Sequence, residues 1–146
     1  MGMTSARAWL AARGLEDRIR EFDVSSATVE LAAQALGVEP GCIAKTLSFY
    51  DGESALLVLA AGDAKIDNHK FKAEFGFKAK MLSPDDALRL TGHAVGGICP
   101  FGLANPLRIY LDASLRRPAT VYPACGTSSS AVALTCAELE EASEAM

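Results

Sequence analysis

The stretch from Cys42 to Ala61, CIAKTLSFYDGESALLVLAA, constrains the fold more than any other part of the chain. Two apolar runs rich in strand-forming residues flank Asp51-Gly52, a dipeptide suited to a tight hairpin turn, so strands are expected over 43–50 and 54–60. The second run, Ala55-Leu56-Leu57-Val58-Leu59, has no polar face, which predicts a strand buried on both sides. In the first run, alternation puts Ile43, Lys45, Leu47 and Phe49 on one side. Three of these suit a core and the fourth is a cation. An unpaired buried ammonium is costly, so Lys45 must snorkel, find a partner or line a cavity.

The segments around this hairpin supply helices to cover it. Residues 5–13 read as a helix. Ser25 or Ser26 caps another that runs to Leu36 and ends at Gly37, and Asp67 or Asn68 caps a third that ends at Gly76. Ser83-Pro84-Asp85-Asp86 opens a helix ending near Gly92, and Thr135-x-x-Glu138 is a capping box for the last. Further strands are expected at 18–24, 79–82, 107–111, 119–122 and 131–134. Strand and helix do not alternate strictly, so the expected class is α/β in the mixed α+β sense, a mixed sheet with helices packed around it. A chain of 146 residues, half of them hydrophobic, suffices for a single domain over 1–146.

Several functions are disfavoured. No apolar run approaches the roughly 20 residues that span a bilayer, and the amphipathic N-terminus lacks the long apolar stretch of a secretory signal. Ala6 stands where a myristoylation motif wants Ser or Thr. No membrane association is expected, and the reading is cytoplasmic. The four cysteines, Cys42, Cys99, Cys125 and Cys136, form no Cys-x-x-Cys, and His69 and His93 add no metal-site spacing. They read as free thiols, with no metal and no cofactor. The net charge of −4 argues against broad nucleic-acid coating, and no DNA partner is expected. Five lysines between Lys65 and Lys80 against Asp67 and Glu74 form a local basic patch, or else a solvated helix face.

Three features could carry chemistry. Lys45 could serve a pocket that binds an anion or a polarised carbonyl. Gly96-Gly97-Ile98-Cys99-Pro100-Phe101-Gly102 is a loop whose backbone could approach a ligand and donate N–H groups to it. Cys125-Gly126-Thr127-Ser128-Ser129-Ser130 is a polar turn or a substrate-facing loop; Ala131 stands where a cysteine phosphatase needs Arg. Cys99 and His93 could also pair as nucleophile and base.

In this order the three features resemble the YbaK/EbsC family, also called the prolyl-tRNA synthetase-associated editing domain. The family's hairpin lysine matches Lys45 in Ile43-Ala44-Lys45-Thr46-Leu47, and its Gly-x-x-x-Pro loop matches Gly96 to Pro100. The linking segments 62–67 and 79–81 and the late strands 110–112 and 120–122 look similar as well, and the resemblance covers about 22–140. It implies a curled mixed sheet flanked by helices and hydrolysis of the ester of mischarged aminoacyl-tRNA in trans. Lys45 is implied to lie near the terminal adenosine and the ester, with backbone N–H groups of Gly97 to Cys99 orienting a carbonyl or ribose. Lys45 is thus the catalytic candidate, and Thr46, Gly96, Gly97, Ile98, Cys99, Pro100, Ser128 and Ser129 are the substrate-binding candidates. The partners implied are the acceptor end of aminoacyl-tRNA and prolyl-tRNA synthetase. Family members carry Asp or His where this chain has Thr127 to Ala131. Thr46 looks like the cysteinyl-tRNA deacylase branch, and the small residues Ala44, Cys99 and Ser129 suit Cys, Ala or Ser, with tRNA(Pro) as the carrier that the same resemblance implies. The rival readings are a binding module without turnover and a thiol enzyme using Cys99 or Cys125. If the Lys45 site is apolar, Lys45→Ala is expected to leave folding intact or improved.

Overall fold

The computed structural model describes residues 2–146. In chain order the elements are α1 (Met3–Ala11), β1 (Ile19–Glu21), α2 (Val29–Leu36), β2 (Ile43–Asp51), β3 (Ser54–Ala61), α3 (Asn68–Phe75) and α4 (Pro84–Thr91), followed by β4 (Arg108–Leu111), β5 (Tyr122–Pro123), β6 (Ser130–Val132) and α5 (Cys136–Ser143).

The hairpin forms the centre of a four-stranded mixed sheet of order β4-β3-β2-β5. β2 and β3 pair antiparallel from Ala44↔Ala61 to Asp51↔Ser54, and Gly52 takes φ 65° in the turn, a conformation that suits glycine. β4 and β5 each run parallel to their neighbour. β1 and β6 form a separate antiparallel pair.

β3 is buried on both faces, as its composition predicts. Leu57, Leu59 and Ala61 turn to one side, where Leu10 of α1, Phe101, Leu115 and Leu139 of α5 complete the main core. Leu56 and Val58 turn to the other, against Phe49 and Phe71 of α3. The Phe71 ring lies 4.8 Å from Phe49 and 4.6 Å from Phe75. These distances suit the tilted packing that aromatic quadrupoles favour.

Local signals set most helix ends. Asp67, Ser83 and Thr135 cap α3, α4 and α5 with their side chains, and the Thr135–Glu138 capping box is complete. Gly37, Gly76 and Gly92 end their helices in the left-handed region. Thr28, not Ser25 or Ser26, caps α2, because those two serines bind the Ser128 carbonyl instead. Helix α1 starts and stops two residues before its expected bounds.

Three expected strands shrink. Residues 79–82 make only the bridge Phe49↔Met81, because Ser83-Pro84 turns the chain into α4 at once. The expected 119–122 strand reduces to Val121's bridge to Leu134 and the two residues of β5, where Pro123 has no N–H to continue a ladder. Residues 18–24 keep only three strand residues, preceded by a 3-10 turn. Among the described residues, no helix is long and apolar enough to cross a membrane.

Candidate active site

The cleft that receives Lys45 lies along the outer edge of β2. It measures about 510 Å³, and its walls come from 26–29, residues 95–98 and the 124–131 segment. Lys45 is the one charged side chain among the residues that line it.

The half-buried Lys45 ammonium donates to the carbonyl of Gly62 at 3.4 Å and to that of Ala64, both in the loop after β3. Its cation is therefore solvated by backbone dipoles rather than by a carboxylate. Asp63, between those carbonyls, pairs instead with Arg117 at 2.7 Å. That hydrogen bond holds the Asp63 carboxyl below its usual range against the opposing effect of desolvation, with a smaller contribution from Lys45. The loop sits close because residue 62 is glycine. A Cβ there would meet the Pro40 carbonyl at 2.4 Å and Val29 Cγ1 at 2.5 Å.

The 93–101 loop forms the opposite wall. His93 is fully buried, and its Nε2–H donates to the Phe101 carbonyl at 2.8 Å, closing the loop at its base. A carbonyl only accepts, so the proton sits on Nε2 and leaves Nδ1 an acceptor, which has no partner. Burial pushes His93 below the ordinary imidazole range. Gly96 turns the loop at φ 98°. Gly97 lies flat on the neighbouring turn, where a Cβ would come within 2.6 Å of Thr127 N.

Of the residues singled out in the sequence, Lys45, Thr46, Gly96 and Ile98 line this cleft together. The others lie elsewhere. Gly97 is buried and its N–H donates to the Ala94 carbonyl at 3.0 Å, so the expected row of free N–H groups cannot start there. Cys99 is fully buried, and Pro100 faces a separate cavity of about 300 Å³ beside Trp9 and Leu103. Ser128 is exposed, and its carbonyl accepts from Ser26 N at 2.6 Å. The Ser129 carbonyl accepts from Phe22 N at 2.9 Å. The serine-rich turn thus clamps residues 22–26, while its neighbours Ser130 and Ala131 reach the cleft. Sequence reasoning singles out neither, although Ser130 closes the loop read as a polar turn or substrate-facing, and it misses Ala27, Thr28 and Tyr122, which arrive through non-local pairing that leaves no local signal.

The cysteine reading finds a pair but no nucleophile. Cys99 Sγ lies 3.5 Å from His93 Nε2, yet that nitrogen already donates to Phe101. Burial drives the Cys99 thiol far above its ordinary range, and pushes the Cys125 thiol up to about 11. Among the described residues, no cluster of three or more His, Cys, Asp or Glu side chains could hold a metal ion.

The sequence pattern of an aminoacyl-tRNA editing domain matches residues 23–142, most of the chain and every wall of the cleft. The chain belongs to this family. Among its relatives, the uncharacterized protein YwhH of Bacillus subtilis (strain 168) is 52% identical over 142 residues, 97% of this chain and 90% of YwhH. Proline–tRNA ligase of Thermosipho melanesiensis is 33% identical over 90 residues, 61% of this chain but 16% of the ligase. A crystal structure of a candidate trans-editing enzyme for prolyl-tRNA synthetase superposes with a TM-score of 0.90 at 32% identity, covering 99% of this chain and 92% of the other. The curled mixed sheet with flanking helices is therefore the fold of this editing family.

Proposed function

We propose that this editing domain is a free-standing hydrolase that cleaves the ester of mischarged aminoacyl-tRNA. The reading extends to tRNA(Pro) carrying a small amino acid (Cys, Ala or Ser) and to prolyl-tRNA synthetase as the partner that releases the substrate in the cytoplasm. The observation that carries it is the cleft itself. One cation, Lys45, stands at the floor of a 510 Å³ space walled by the Gly96–Ile98 loop. That volume lies within the range of small-ligand sites, roughly 300–1,000 Å³. A cation and backbone dipoles can stabilise charge that develops on an ester carbonyl. With no thiolate or imidazole among the residues that line the cleft, the attacking water would draw on the ribose hydroxyl beside the ester, a group that RNA supplies and DNA lacks.

One observation favours a second reading. The Lys45 ammonium is already committed to the Gly62 and Ala64 carbonyls, as it would be in a cleft that binds the aminoacyl end without turnover. Release of labelled amino acid from tRNA(Pro) charged with Ala, Ser, Cys or Pro, by wild type and Lys45→Ala, separates the two. Selective, Lys45-dependent hydrolysis is expected. Tight binding with no hydrolysis of any species would overturn the enzyme reading.

A further inference from the structure

The outer edge of β2 is covered at both ends and open between them. At one end β5 pairs with Ile43 and Ala44. At the other, Leu82 N donates to the Ser48 carbonyl at 3.1 Å and Tyr50 N donates to the Lys80 carbonyl at 2.9 Å. Backbone groups of alternate residues point to the same side of a strand. Because Ser48 and Tyr50 turn theirs away from β3, Thr46 does the same, and its N–H and C=O both face the cleft. Among the described residues, neither has a backbone partner on that side. The side chain repeats the pattern, for Thr46 Oγ1 is buried without a hydrogen-bond partner. Buried polar groups in folded proteins are nearly always paired, so the unpaired buried Oγ1, on a residue whose N–H and C=O also lack a backbone partner, marks a place where a ligand completes the structure.

We propose that the aminoacyl group of the substrate docks on Thr46 as a one-residue antiparallel β-bridge; this rests on the deacylase reading and deepens it. An aminoacyl ester carries a donor and an acceptor on either side of one Cα, as a residue in a strand does. Its α-ammonium donates to the Thr46 carbonyl, and the Thr46 N–H donates to the ester carbonyl. No Asp or Glu lines the cleft, so a backbone carbonyl is the acceptor available to the ammonium. The second bond polarises the carbonyl that water attacks, with Thr46 N–H doing what was expected of Gly97. Side chains of bridged residues project on the same face. The side chain of the bound amino acid therefore lies beside Thr46 Oγ1, where a hydroxyl or thiol finds a partner and a methyl does not.

The test uses non-hydrolysable 3′-aminoacylamino-3′-deoxyadenosines, in which an amide replaces the ester, titrated into the intact protein with Thr46 followed by its backbone amide resonance. The alanyl compound should bind roughly 10- to 100-fold more tightly than the propionyl compound, which lacks only the ammonium, as loss of a charge-assisted hydrogen bond requires. The Thr46 amide should shift and its solvent exchange slow. Equal affinity of the two compounds, no binding by either, or binding that leaves the Thr46 amide unmoved would overturn the bridge. If the alanyl compound binds as expected while no aminoacyl-tRNA is hydrolysed, the bridge stands and the deacylase reading falls.

Discussion

The Lys45 ammonium donates to the carbonyl of Ala64, which ties the centre of β2 to the loop that leaves β3. A lysine on an apolar strand face is thus paired, its ammonium serving two carbonyls. This reverses the expectation that removing the cation would leave folding intact or improve it. Lys45→Met keeps most of the stem and strands both carbonyls. It should lower stability by about 1–2 kcal/mol, the typical cost of part-buried acceptors losing their donor. Urea unfolding checks this through a lower midpoint at unchanged slope. Deacylation by the folded variant should fall by orders of magnitude. A variant as stable as wild type would show that water replaces the ammonium at those carbonyls.

The two buried thiols should be inert. Cys99 and Cys125 are both fully buried, and burial raises both their pKa values. Disulfide-exchange reagents should therefore titrate the partly exposed Cys42 and Cys136 first, and reach the other pair only on unfolding. Cys125→Ala should retain deacylation. Loss of activity in a folded Cys125→Ala protein would restore the thiol reading.

His93 gives the fold a pH dependence of defined sign. Burial lowers its pKa in the folded state, so between that value and the unfolded value of about 6.5 the unfolded chain binds more protons. The stability that comes from holding His93 neutral is complete above about pH 6.5. It is lost progressively as pH falls below that, down to the folded pKa. His93→Gln can keep a donor to the Phe101 carbonyl but does not titrate. Chemical denaturation between pH 7.5 and 5 should show a decline in wild type that is shallower in His93→Gln. Parallel curves would assign the decline to other groups.

Much of the fold is legible because it is written locally. Asp51-Gly52, the caps Asp67, Ser83 and Thr135, and the terminal glycines 37, 76 and 92 each act within a few residues of where they stand. The cleft is less so. Lys45 and the Gly96–Ile98 loop are recognisable as types, but their meeting depends on β2 having a short partner, and that parallel pairing of Ile43 and Ala44 with Tyr122 and Pro123 joins segments far apart in sequence. His93 and Cys99 are six residues apart in sequence, and that spacing alone does not reveal their contact. Ser128 and Ser129 read as substrate-facing because they are polar. In the fold their carbonyls hold residues 22–26, a pairing across the chain that hydropathy does not encode.

Two glycines separate backbone freedom from close approach. Gly76 ends α3 at φ 83° with open space where a Cβ would go. Gly76→Ala should therefore cost about 1–2 kcal/mol, from the left-handed conformation alone. It should leave the cleft and its activity as they are. Gly97 has no left-handed φ, but a Cβ there would sit 2.6 Å from Thr127 N and 2.7 Å from the Gly126 carbonyl carbon. Both neighbours are backbone, which cannot swing aside as a flexible side chain can, so the loop itself must lift from the 125–128 turn. Gly97→Ala should cost on the order of 1–3 kcal/mol, as overpacking does. It should also weaken the cleft wall, raising KM for aminoacyl-tRNA in the fraction that stays folded. Thermal unfolding and steady-state deacylation, run on both variants, check the contrast. Equal KM values would show that the 93–101 loop tolerates displacement and that the edge of β2 alone defines where the substrate sits.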